Sequence, residues 1–222
     1  MDTAITKFNG FGLLLVGIGL VLVSSCTPVV KRLYGINEIT SFDSVAYEKT
    51  IREINDDYPG DIQFVVCDTT QYKKYGELDF GEYSHALRQP IQILYFQKDT
   101  LLSYHANCFA KGGLTNIDWN VNNRFEHFIP KSAIKMDDIA IPITSLSAIF
   151  NLEPDESKIN VFIFWTNYLG KISESTIQLV KNNIRDANKI DETSITVINT
   201  DLYFITAFER KNKRDTIRSK AL

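Results

Sequence analysis

An α/β fold follows from two features of the 222-residue chain. Residues 159–198 read strand, helix, strand, and residues 62–105 carry three more short β-rich runs among helical segments. With 44% hydrophobic residues, 23% charged residues, 14 Phe and 10 Tyr, the chain can fill one core or two small ones. A net charge of −3 removes any global electrostatic argument for nucleic acid.

Asp43 and Ser44 are helix starters, and Tyr47, Ile51, Ile54 and Tyr58 recur at helical spacing until Pro59 and Gly60 stop the run. Residues 62–67 form a short strand ending at Asp68, and 69–89 read as a loop with one helical piece over 80–87. Pro90 stands just before the strand 91–96, where a proline costs no ladder donor. Gln97, Lys98 and Asp99 turn the chain into a second strand, 101–105. Residues 119–128 read as a helix ended by Pro130, and a short helix fits 145–152. The near-continuous apolar run 159–165 has the character of a buried strand. Ser175 and Gln178 have capping-box spacing, and Ile177, Val180, Ile184 and Ala187 share one helical face. With a strand at 194–198 this makes a βαβ unit, whose strands should be parallel. Residues 202–208 are apolar and predict one further strand. The tail 209–222 holds six basic and two acidic residues and reads as a solvated end rather than a lipid or partner contact.

The N-terminus is not part of that domain. Residues 8–25 carry no charge and centre on the apolar run 13–23, the pattern of a secretory signal peptide. Their ending, Leu22-Val23-Ser24-Ser25-Cys26, resembles the lipobox of bacterial lipoproteins. That resemblance implies that Cys26 is acylated (palmitate among the chains) and begins the mature protein, which is then an envelope lipoprotein. Asp2 in the leader and Val23 three residues before the cysteine depart from the usual pattern. An uncleaved transmembrane anchor is the alternative reading, since about 18 uncharged residues just span a bilayer. Either way the folded part is membrane-tethered outside the cytoplasm, with 26–40 as tether. Thr27 after the cysteine, by resemblance to lipoprotein sorting, points to the outer membrane facing the periplasm.

The run Val161-Phe162-Ile163-Phe164-Trp165 followed by Gly170-Lys171 resembles the strand and turn that carry Trp-Cys-Gly-Pro-Cys in thioredoxins. The helix at 44–57, the strand 62–67 and Pro90 with its hairpin resemble the later elements of the same family. The resemblance covers most of 43–208, in halves 41–130 and 131–208, with the unit that should come first lying last. It implies a thioredoxin-like mixed sheet flanked by helices, either permuted or built from two partial copies. A thioredoxin nucleophile is a cysteine whose pKa is lowered at a helix N-terminus. Leu169 and Ile172 occupy the two matching positions, so dithiol exchange is excluded there, and Pro90 has no dithiol to support. The expected role is therefore binding or scaffolding for a protein or peptide partner, with Trp165, Tyr168, Leu169, Ile172 and Pro90 as the candidate surface. Those apolar side chains could equally be core.

Other chemistry is thin. Cys67 and Cys108 are an even pair in an oxidising compartment, but spacing alone does not say whether they meet. Cys108, with His105 three residues before and Lys111 three after, is the one alternative catalytic residue, for a single-cysteine thiol oxidoreductase. His85, His105 and His127 lack ligand spacing, so no metal is expected, and no cofactor either. Asp56-Asp57 and Asp137-Asp138 read as solvated carboxylates rather than an acid/base pair. Phosphate-loop, GxSxG and HExxH motifs are absent.

Overall fold

The structure, a computed structural model, describes residues 36–112, 117–137 and 139–220. The expected signal segment, Cys26 and most of the expected tether lie outside them. In chain order come α1 (Ser44–Asn55), β1 (Ile62–Val66), α2 (Thr69–Tyr75), a 3-10 helix (Gly81–Arg88), β2 (Gln92–Gln97) and β3 (Thr100–Ala106). Short 3-10 turns follow at Asn107–Phe109 and Val121–Glu126, then α3 (Ile143–Phe150) and β4 (Ile159–Trp165). A further 3-10 turn, Asn167–Leu169, leads into α4 (Gly170–Asp186), β5 (Thr193–Asn199) and α5 (Asp201–Lys220).

The five strands form one mixed sheet in the order β1-β5-β4-β2-β3. β1, β5 and β4 are parallel, while β2 runs antiparallel to both β4 and β3. This is a mixed α/β sheet flanked by helices, consistent with a thioredoxin-like α/β class. The two halves of the chain interleave in it, because β4 and β5 enter between β1 and β2. Their connection through α4 is the βαβ unit predicted for 159–198.

Period-two alternation divides the core between the two faces. Leu94, Phe96, Tyr104, Phe162, Phe164 and Ile198 pack under α2, the 3-10 helix, α3 and α5. Ile93, Tyr95, Val161, Ile163, Trp165, Ile195 and Val197 pack under α1 and α4 and against Trp119. β4 is buried on both faces, which is why its sequence is apolar almost throughout. Buried polar groups on the first face are paired: Tyr75 and Tyr104 hydroxyls donate to Gln92 Oε1 at 2.6 and 2.8 Å, and Gln92 Nε2 donates to the carbonyls of Leu87 and Gln89. On the second face Lys181 of α4 is buried, and its Nζ donates to the Ile54 carbonyl (2.7 Å) and to the Asp57 carboxylate, tying α4 to α1.

Four expectations are corrected. Residues 202–208 are helical, part of α5, and the helix continues through the basic tail to Lys220. An unbroken apolar run carries no period to separate strand from helix. Residues 119–128 are not one helix: Asn122 and Asn123 have φ of 58° and 59°, left-handed conformations that asparagine tolerates and a right-handed helix cannot continue. Ser175 is not a cap, because α4 starts five residues earlier and Ser175 Oγ donates to the Ile172 carbonyl inside it. Finally, part of the expected loop 69–89 is α2, started by a capping box in which Asp68 and Gln71 satisfy each other's backbone N–H.

Candidate functional site

The loop after β4 is held from below by one carboxylate. Asp201, the buried first residue of α5, accepts from Thr166 Oγ1 (2.6 Å), Asn167 N (2.7 Å) and Asn167 Nδ2 (2.8 Å), and more distantly from Asn199 Nδ2 (3.2 Å). Its own N–H donates to Asn199 Oδ1 at 3.0 Å. Negative charge at a helix N-terminus is favourable, and donors on two strand ends fill both oxygens. Thr166 Oγ1 in turn accepts from Tyr168 N at 3.1 Å, which shapes the 3-10 turn.

From above, the loop is covered by the chain's own N-terminal side. Asn37 N donates to the Tyr168 carbonyl at 2.9 Å and Asn37 Nδ2 to the Asn167 carbonyl at 2.7 Å. A Cβ on Gly170 would sit 3.0 Å from that Asn37 amide, so glycine leaves room for the contact. Leu169 and Ile172 are only 2% and 5% exposed and belong to the core with Trp165, so these three present no apolar surface. Tyr168 is half-buried against Phe204 and Phe208, and Pro90 is half-buried as well. The candidate surface inferred from the sequence is thus largely interior.

Of the two cysteines among the described residues, Cys67 and Cys108, neither is activated. Both are free thiols. Cys67 is buried, its Sγ lies 3.2 Å from the Asp68 carbonyl, and burial pushes its pKa up to about 12. Cys108 is exposed, yet partial burial of its sulfur still raises its pKa. His105 is not its base: the ring is buried on β3, 3.0 Å from Ser103 Oγ through Nε2 and packed on Phe125. In the native full-length protein at neutral pH, Cys108 is therefore expected to react with iodoacetamide no faster than a free cysteine, and Cys67 only after unfolding. Peptide mass mapping of the labelled sites checks this.

Among the described residues a concavity lies elsewhere, between the last turns of α4 and the segment 125–128. Its volume is about 310 Å³, and it is lined by Phe125, Glu126, His127, Phe128, Leu179, Asn182, Asn183, Asp186 and Ala187. Sequence reading missed it because the two walls are 56 and 58 residues apart, joined by Asn183 Nδ2 donating to the carbonyls of Phe125 (3.0 Å) and His127 (3.3 Å). Among the described residues no cluster of three or more His, Cys, Asp or Glu side chains could hold a metal, and no helix is long and apolar enough to cross a membrane. No family model matches the chain, and neither a curated protein nor a solved structure matches it.

Proposed function

We propose that the chain is a lipid-anchored envelope lipoprotein, held through Cys26 at the outer membrane and facing the periplasm. In this reading its thioredoxin-like domain acts by binding or scaffolding and performs no dithiol chemistry. The anchor rests on the Leu22-Val23-Ser24-Ser25-Cys26 resemblance, and the observation that supports the absence of dithiol chemistry is that Leu169 and Ile172, both buried, stand at the two positions where the resemblance requires cysteines. The raised pKa values of Cys67 and Cys108 add to it, since a thiol held protonated is a poor nucleophile.

Two measurements test it. Cys26→Ser is expected to move the protein from the membrane to the soluble fraction or leave it with an unprocessed leader, and intact mass of the wild-type chain should show a lipid-modified Cys26 as first residue. A mature N-terminus elsewhere would remove the anchor from the proposal. Peroxide or disulfide reduction that is lost in Cys108→Ser would replace binding with single-cysteine redox chemistry.

A further inference from the structure

We propose that β1 is a docking edge for a second copy of this chain, the two β1 strands pairing antiparallel about a two-fold axis at Phe64. The inference stands apart from the anchor and the binding role proposed above. On its inner side β1 pairs in parallel with β5, where the Asp61 carbonyl accepts from Ile195 N and Cys67 N donates to the Asn199 carbonyl. Backbone groups along a strand address its two sides alternately. Asp61, Gln63, Val65 and Cys67 therefore face β5, whereas Ile62, Phe64 and Val66 turn their N–H and C=O groups outward. Among the described residues that outer row has no partner.

The two edges of the sheet are guarded differently. At the far edge the pairing of β3 with β2 shifts register between Tyr95 and Phe96. Tyr104 of β3 is occupied there, its N–H donating to Ser132 Oγ (3.3 Å) and its carbonyl accepting from Ala133 N (2.9 Å). β1 has no such device. Ile62-Gln63-Phe64-Val65-Val66 carries no charge, proline or glycine, and its register with β5 is unbroken. Gln63 is exposed and the other four residues are half-buried. An edge of this kind is a template for another strand. Its own register selects a second copy as the occupant. With Phe64 opposite Phe64, Ile62 meets Val66 of the second copy, and each pair of outward residues exchanges two N–H···O bonds. The flanking charges permit this pairing. Asp61 comes beside Cys67 of the second copy, and its carboxylate is already paired with Lys158 at 2.6 Å. Asp68 meets Gly60, and its carboxylate is used by Thr70 N and Gln71 N of α2. Like charges do not oppose each other across the axis.

Disulfide trapping in the full-length protein in mild detergent tests the register. Gln63 faces Val65 of the second copy as a non-hydrogen-bonded pair, whose close side chains suit a disulfide. In a Cys108→Ser background, a mixture of Gln63→Cys and Val65→Cys chains is expected to cross-link on mild oxidation. Either variant alone should not, because like positions then lie beyond disulfide reach. Identifying the joined peptides by mass keeps the result separate from any cross-link through Cys26. Val66→Pro deletes an outward N–H and leaves the bonds to β5 in place. It should keep the circular dichroism of the wild type and weaken the dimer by about tenfold, the worth of two lost hydrogen bonds. Hydrogen exchange reads the edge without any substitution: the amides of Ile62, Phe64 and Val66 should be protected, and protection should fall on dilution. Three results would each overturn the proposal. One is a mixture that does not cross-link, or single variants that cross-link equally well. Another is exposed amides at all concentrations. The third is protection that dilution does not change, which would mean that a segment of the chain itself fills the edge.

Discussion

Replacing Asp201 with alanine is expected to lower the melting temperature by about 10 °C. The buried carboxylate accepts from Thr166, from the backbone and side chain of Asn167, and from Asn199. Removing it strands these donors at a place where water reaches only some of them. Hydrogen bonds to charged groups are worth about 1.5–3 kcal/mol each and are not additive, so a loss of about 3–5 kcal/mol is the expected scale. For a chain of this size each kcal/mol moves the midpoint by about 2–4 °C. Asp201→Asn keeps one acceptor oxygen and turns an N–H₂ toward donors, so it should cost about half as much. Thermal denaturation followed by circular dichroism reads both. A shift of less than about 3 °C for the alanine variant would mean that the loop and α5 are held by packing alone.

The second large effect is acid sensitivity from His105. Burial, with a smaller contribution from Arg124, lowers its pKa from 6.5 to about 3. The folded chain therefore keeps the ring neutral over a range in which the unfolded chain protonates it. Above pH 6.5 both states are neutral and the residue has no effect. As pH falls from 6.5 toward 3 the unfolded state binds the extra proton, and stability drops by about 1.4 kcal/mol per pH unit. By pH 4.5 the expected loss is about 2–3 kcal/mol. Asp57 and Asp155, whose pKa values are lowered by Lys181 and by Ser157, lose their contributions only below the ordinary carboxylate range. Glu174, raised by partial burial and by Glu53, acts in the opposite direction, so the informative quantity is a difference between variants. Urea unfolding of wild type and His105→Gln between pH 7 and pH 4.5 should show the steeper pH slope in wild type only. Parallel slopes would mean that the folded protein accommodates the imidazolium.

The parts of the fold visible in the sequence are those with short-range signals. β4 announces itself by a short run of apolar, β-branched and aromatic residues that suits a strand buried on both faces, and Pro90 with the turn at 97–99 marks the hairpin. The capping box at Asp68 and Gln71 is present in the spacing, but the seven-residue helix behind it is too short and polar to show a helical period. α5 could not be read so directly. Its apolar start fits strand and helix alike, and the carboxylate that begins it finds partners 34 and 35 residues away. Asn122 and Asn123 broke an expected helix through backbone conformations that their side chains permit without requiring. The loop chemistry was legible, since Leu169 and Ile172 have no ionisable atom, but their burial was not. Exposure depends on what packs above, and Asn37 lies 130 residues upstream of its partner Asn167.

The contact of Asn37 with that loop also orients the molecule. With Cys26 in the bilayer, as proposed, nine residues separate the anchor from Ile36, and at most ~3.6 Å per residue this leash reaches about 35 Å. The described chain enters the fold beside the 167–168 loop through Asn37, so on that proposal the carboxyl ends of β4 and β5 would be the end drawn toward the lipid. α4 starts at that same end and runs away from it. At 1.5 Å per residue, the 13 steps from Gly170 to Asn183 place the concavity beside residues 125–128 roughly 20 Å further out. On the proposed anchoring, the carboxyl end of the sheet would be the mooring, and the far end of α4 would face away from the membrane.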